Sequence, residues 1–372
     1  MTQVSIKGKP NSLDIAHLAG VSQATVSRAL RGHAAVNRAT RERIMEVARE
    51  LNYKVDKNAS NLRTQQSGTL ALLLFEDPTV DDSAINPFFH SMLGSITRAC
   101  AQQGYDLLVS FQQLSRDWHA DYEDCHKADG LILLGYGDYR DYRARLDALV
   151  AQGTHFVRWG AVLADQPGIS IGSDNHAGGL AATRHLLALG RRRIGFLGHA
   201  SQGAPEFLER YQGYAAALRE AGKVPDPLLQ ADAISTEQAG REAAQLVLER
   251  GARCDALVCA SDLIAFGALR AVQALGLRVP EDIALVGYDD IPMAQLSTPA
   301  LTTVQQDTRQ AGELLVHTLL AQLHGGPVQP IKLEPHLQVR QSCGAQLPAQ
   351  AQAPATVTAL HARVRRGTRP RG

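Results

Sequence analysis

From about residue 69 to residue 344 the sequence repeats one pattern. A short apolar run is followed by a longer stretch whose apolar residues recur every three or four positions. The short runs fall at 70–75, 105–110, 130–134, 156–159, 193–197, 256–259 and 284–288, and each has the length of a buried strand. The longer stretches at 88–103, 177–189, 206–220, 236–250, 264–274 and 308–323 have helical spacing. Strands alternating with helices pair in parallel, because a parallel neighbour needs a long crossover and a helix supplies it. There are too many strands for one small sheet. The pattern therefore predicts two doubly wound lobes, an N-lobe over about 69–162 plus 294–325 and a C-lobe over about 164–291 plus 327–344.

The first 54 residues read differently. Three short helices are expected over 12–52. In the first, Leu13, Ile15, Ala16 and Ala19 can share a face, with Ser12 as N-cap. Gly20 permits a tight turn and Ser22 caps the second helix. There Val26, Ala29 and Leu30 face inward, leaving Gln23, Ala24, Thr25, Ser27 and Arg28 outside. A third helix from Thr40 to Leu51 follows Asn37 and packs through Ile44, Val47, Ala48 and Leu51. This is the layout of a helix-turn-helix, whose second helix enters a DNA major groove. Gln pairs with adenine, Arg with guanine, and Ala meets a thymine methyl.

Charge supports a nucleic-acid-binding head. The whole chain of 372 residues has a formal net charge of only +1. Residues 1–68, however, carry 11 Lys/Arg against 5 Asp/Glu, and residues 345–372 carry 5 Arg and no acid. The body between them is left at −10. Two basic ends flank an acidic body, an asymmetry that suggests a nucleic-acid-binding head on a soluble body. The segment 345–372, rich in Ala, Gln, Pro and Arg, is expected to be a disordered basic tail without leucine heptads.

Several classes fall away. Pro10-Asn-Ser12 stands where a signal peptide would need an apolar core, so a cytoplasmic protein is expected. No apolar run approaches a membrane span. The five cysteines form no C-x-x-C pair and no His/Cys cluster, which predicts reduced thiols and no metal. Gly135-Tyr-Gly-Asp-Tyr-Arg140 lacks the third glycine of a dinucleotide loop. Gly198-His-Ala-Ser-Gln-Gly203 continues into Ala-Pro rather than the Lys-Ser/Thr of a phosphate loop. No nucleophile elbow or zinc-protease motif occurs, so neither catalytic residues nor a cofactor are expected.

The run Asp14-Ile-Ala-His-Leu-Ala-Gly-Val-Ser-Gln-Ala-Thr-Val-Ser-Arg28, with Thr40-Arg-Glu-Arg43 and Leu51-Asn-Tyr53, resembles the lactose-repressor (LacI/GalR) family of bacterial transcription regulators. The resemblance continues through Asn86-Pro-Phe-Phe89, Asp174-Asn-His-Ala-Gly-Gly179, Arg210-Tyr-Gln-Gly-Tyr214, Val286-Gly-Tyr-Asp-Asp290 and Pro299-Ala-Leu-Thr-Thr-Val304. It implies a helix-turn-helix head (1–54), a hinge helix and linker (55–68) and a two-lobed sensor of periplasmic-binding-protein type. It also implies a homodimer on a palindromic operator and a small effector between the lobes. In the hinge segment Asn58-Ala-Ser-Asn-Leu-Arg-Thr64, Asn61 and Leu62 match DNA-contacting positions, Leu62 as a minor-groove wedge. The chain departs from the family in having Val55 where proline is usual and Ser60 where arginine is usual. The family match puts Arg210 and Asp289 on the effector, and Ser261 where many sugar-responsive members have asparagine.

Open parallel sheets bind ligands beyond the carboxyl ends of their strands. That rule nominates Asp289 and Asp262 after their strands, Phe75, Asp77 and Phe88 at the mouth of the first strand, and Tyr136 after Leu134. Trp159 can stack on a pyranose face or fill the core, and Arg158 beside it can bind a hydroxyl or an anion. Asp290 is expected to be structural. Planar polar groups plus an aromatic platform favour a sugar. The function expected is a DNA-binding repressor of carbohydrate genes, released by that sugar. The alternatives are a sugar-binding protein or sugar-active enzyme on the same fold, or a regulator with a corepressor or a non-sugar effector.

Overall fold

The computed structural model describes residues 10–30, 32–53, 66–75, 85–135, 139–250 and 253–345. Four of the residues nominated above, Asn61, Leu62, Asp77 and Tyr136, lie outside them, as do most of the linker and the tail beyond 345. The chain divides into two compact units, Met1–Gly68 and Thr69–Gly372.

The first unit contains α1 (Ser12–Ala19), α2 (Gln23–Leu30) and α3 (Arg38–Glu50). Ile15, Val26 and Ile44, one from each helix, are fully buried together with Ala16, Ala19, Ala29, Val36 and Ala48. The N-cap of α1 is Asn11, not Ser12. Asn11 Oδ1 accepts from Leu13 N–H (2.8 Å) and Asp14 N–H (3.2 Å), while Asp14 returns a carboxylate to Asn11 N–H (2.8 Å). This reciprocal capping box satisfies otherwise orphaned donors. Leu13, expected inside, is 60% exposed. The buried positions are 15, 16 and 19, and Leu13, two residues before Ile15, points to the opposite side of the helix.

The second unit has two six-stranded sheets. The N-lobe sheet has the order β11-β5-β4-β3-β1-β2. Its strands are β1 (Thr69–Leu74), β2 (Asp106–Phe111), β3 (Gly130–Leu134), β4 (Phe156–Trp159), β5 (Ile169–Ser173) and β11 (Ile331–Leu333). The C-lobe sheet has the order β12-β10-β9-β8-β6-β7. It contains β6 (Ile194–Leu197), β7 (Gln230–Ala231), β8 (Ala256–Cys259), β9 (Ala284–Asp289), β10 (Thr302–Gln305) and β12 (His336–Gln338). The pairings are parallel except β10 with β12. Helices α4 (Pro87–Gln102), α5 (Tyr139–Gln152) and α10 (Thr308–Leu323) cover the N-lobe sheet; α6 (Asn175–Ala188), α7 (Pro205–Glu220), α8 (Glu237–Glu249) and α9 (Asp262–Ala274) cover the other.

The chain passes between lobes after Ser173, after Gln305 and between Leu333 and His336. The expected crossovers, near 163, 292 and 326, each fell too early. The strands β5, β10 and β11 are three to five residues long and rich in Ser, Thr, Gly or Lys. They lack the apolar run that marks a strand, so their membership shows only in the pairing.

Candidate functional site

On the head, Ser22 caps α2, its Oγ accepting from Thr25 N–H (3.2 Å) and lying 2.8 Å from Thr25 Oγ1. Gln23, Ala24 and Arg28 are exposed, Thr25 and Ser27 half-buried. Val26 and Ala29 fix the helix in the core, so the polar row projects from a rigid base. Gln23 Nε2 donates to Ser12 Oγ (2.8 Å), which holds the amide across the start of α1. Asn37 caps α3 by accepting from Thr40 N–H (2.8 Å). Arg41, which sequence reasoning passed over, pins the turn between α2 and α3 by donating to the His33 carbonyl (2.7 Å).

In the sensor, the local sequence explains where Arg210 stands. α6 and α7 cross with their backbones touching. A Cβ at Gly179 would overlap the Arg210 carbonyl, and one at Gly213 would overlap the His176 carbonyl. The two glycines set the depth of α7 against α6 and thereby the position of its first turns. Arg210 is buried. Its Nε donates to Asn175 Oδ1 (2.9 Å), its Nη1 donates to the Ala260 carbonyl and lies 3.8 Å from Asp289 Oδ1. Its guanidinium lies 3.7 Å from the centre of the Tyr288 ring.

Asp289 ends β9 in a left-handed backbone conformation and accepts from Gln306 Nε2 (2.7 Å). Burial raises its carboxyl to about 6, partly offset by Arg210 and Gln306. With Phe88, Ser91, Ile291, Gln306 and Arg309 it lines a cavity of about 270 Å³. Trp159 is buried in the N-lobe core with its ring 5.9 Å from that of Phe88. Phe75 is half-buried at the end of β1. Ser261 caps α9 and accepts from Ser235 Oγ (2.9 Å), which in turn lies 3.3 Å from Asn86 Nδ2 of the N-lobe. The structure thus brings Phe88, Asp289 and Arg210 together, with Trp159 behind Phe88.

Two nominated residues are placed elsewhere. Asp262 has no exposed surface, and both its oxygens are taken, one by Ile291 N–H (2.9 Å) and one by Thr303 Oγ1 (2.5 Å). It is a strut under the β9–β10 connection. Arg158 follows the alternation of a strand: with Trp159 on one sheet face, it points to the other. It lies buried under α5, 5.6 Å from the centre of the Tyr139 ring, and donates to the Ala161 carbonyl (2.9 Å). Asp290, on the lining of the same cavity, is held by Arg340 (2.7 Å) and Gln305 (3.0 Å). Asn175, Tyr288, Gln306 and Glu206 went unnominated. Asn175 and Tyr288 stand inside quoted motifs; only their contact with Arg210 distinguishes them.

A family model described as bacterial regulatory proteins, lacI family, matches residues 13–56. A second, for a periplasmic binding protein-like domain, matches residues 183–343. The HTH-type transcriptional regulator CelR of Thermobifida fusca is 32% identical over 340 residues, 90% of this chain and 98% of that protein. A solved complex of a transcriptional regulator CelR with cellobiose is 31% identical, with a TM-score of 0.67, over 90% of this chain and 99% of that one. The lac repressor dimer bound to operator and the anti-inducer ONPF is 26% identical, with a TM-score of 0.77, over 91% of this chain and 100% of that one.

Proposed function

Because the chain belongs to the lacI family of bacterial regulatory proteins, we propose that it represses carbohydrate genes by binding a palindromic operator and releases it when a sugar enters the interlobe cleft. The observation that carries the reading is the union in one chain of an exposed polar row on α2 with the Arg210–Asp289 pair beside the cavity. Gln23, Ala24 and Arg28 select bases, with Ser22, Thr25, Ser27 and Asn37 at the backbone. Arg210 and Asp289 offer a fixed donor and acceptor to vicinal hydroxyls, and Phe88 supplies an apolar face. A sugar shifts operator affinity only in so far as it binds one arrangement of the lobes more tightly than the other.

The reading assigns the chain no catalytic step, no cofactor and a cytoplasmic location. No helix among the described residues is long and apolar enough to cross a membrane. A second copy of the chain is the proposed partner of the exposed Leu108 and Val109 on edge strand β2, since a bare apolar edge invites pairing. The proposed organisation keeps the head at 1–54, the linker at 55–68, the sensor at 69–344 and the basic tail beyond.

A thermal-shift screen of mono- and disaccharides, cellobiose included, followed by calorimetry, tests the cleft. Arg210→Ala removes charged hydrogen bonds worth about 1.5–3 kcal/mol each, so affinity for the sugar that shifts the wild type falls about 10- to 150-fold. An unchanged affinity contradicts the assignment.

A further inference from the structure

The peptide of Ala161 is gripped from both lobes. Its carbonyl accepts from Arg158 Nη2 (2.9 Å) within the N-lobe. Its N–H donates to Glu206 Oε1 (2.7 Å), and Glu206 lies in the first turn of α7 in the C-lobe. A second bond between the lobes stands on the same wall: Tyr139 N–H, at the start of α5, donates to the Gly203 carbonyl (3.0 Å). The Tyr139 ring flanks Arg158, so both bonds share one support. Neither Glu206 nor Ala161 lines the cavity that holds Asp289.

We propose that Glu206 is the positioning residue that latches the lobes together through Ala161 and couples their closure to the uptake of a proton. Held by the Ala161 N–H and by its own backbone N–H, the half-buried Glu206 carboxylate still loses part of its hydration where the lobes meet. Burial pushes the Glu206 carboxyl up to about 7; its own backbone N–H, the Ala161 N–H and the Arg210 charge oppose this, and the Glu209 charge adds to it. The charged groups around it are otherwise engaged. Arg210 faces Asp289, Glu209 lies 3.6 Å from Lys332 Nζ, and His199 in the preceding loop lies between Ser201 and Asp232. Arg158 is turned to the far side of the Ala161 peptide.

The sign follows from the direction of the shift. With the lobes apart, Glu206 is in water and titrates near its ordinary 4.5; with the lobes together it titrates near 7. The closed state therefore holds the extra proton between those values. The contribution to closure is complete below about pH 4.5 and is lost as pH rises through about 7, so the closure equilibrium falls about tenfold from pH 6 to pH 8.

The proposal rests on the reading of two hinged lobes, but its test needs neither DNA nor effector, so either can fail alone. Hydrogen-exchange protection of the Tyr139 and Ala161 amides is measured on the full ligand-free chain from pH 6 to 8, each rate divided by that of the unstructured peptide at the same pH. In the wild type both amides lose about tenfold protection across the range. Glu206→Gln keeps the acceptor and cannot titrate, so both stay protected at every pH. Glu206→Ala removes the acceptor, and both are weakly protected throughout. Wild-type amides unprotected at pH 6, a Glu206→Gln protein with the wild-type pH profile, or a change confined to Ala161 would each overturn the proposal.

Discussion

Asp262 and Asp289 are the same residue type, each at the C-terminal side of a C-lobe strand, and they do different work. Asp289 keeps an edge on the cavity and answers Arg210 across 3.8 Å. Asp262 spends both oxygens on Ile291 N–H and Thr303 Oγ1, and burial holds its carboxyl well above the usual range. Asp262→Ala leaves two buried donors without acceptors and is expected to cost about 2–4 kcal/mol of stability in a denaturant titration; a loss under about 1 kcal/mol contradicts the strut. The strand-end rule nominated both residues. What it could not supply is which lone pairs are already occupied, because the donors to Asp262 come from residues 29 and 41 positions away. Arg158 is a different case. Strand alternation alone sends it away from Trp159, so that correction was available from the sequence.

At the scale of elements, the apolar strands and the long helices other than α5 were legible because their periodicity is local. The contact of α6 with α7 was not, although both glycines stand in the motifs Asp174–Gly179 and Arg210–Tyr214. Only the assembled pair shows that Gly213 faces the His176 carbonyl. Gly213→Val must push the helices apart, at a cost of about 1–3 kcal/mol, and carry Arg210 away from Asn175 and Asp289. Thermal melting and sugar calorimetry are therefore expected to fall together; a stable variant with full sugar affinity contradicts this account of how Arg210 is placed. The same distinction explains the missed strands β5, β7, β10, β11 and β12. Their edges are set by pairing with neighbours, and the three crossovers moved with them.

For the whole molecule, the net charge of +1 conceals a head and linker at +6, a body at −10 and a C-terminal segment at +5. That separation directs the basic unit to phosphates and keeps the sensor off them. The head's exposed Arg28, Arg43 and Arg49 lie on α2 and α3, the helices that carry its polar faces. Operator recognition and its release by sugar are measured together in a fluorescence-anisotropy titration of the DNA upstream of the chain's own gene, at fixed salt, with and without the sugar that shifts its melting. The wild type is expected to bind tightly and to be weakened by the sugar, and Arg28→Ala to lose about 1–3 kcal/mol. Binding no tighter than to unrelated DNA of equal length, or equal binding by Arg28→Ala and the wild type, would contradict this reading.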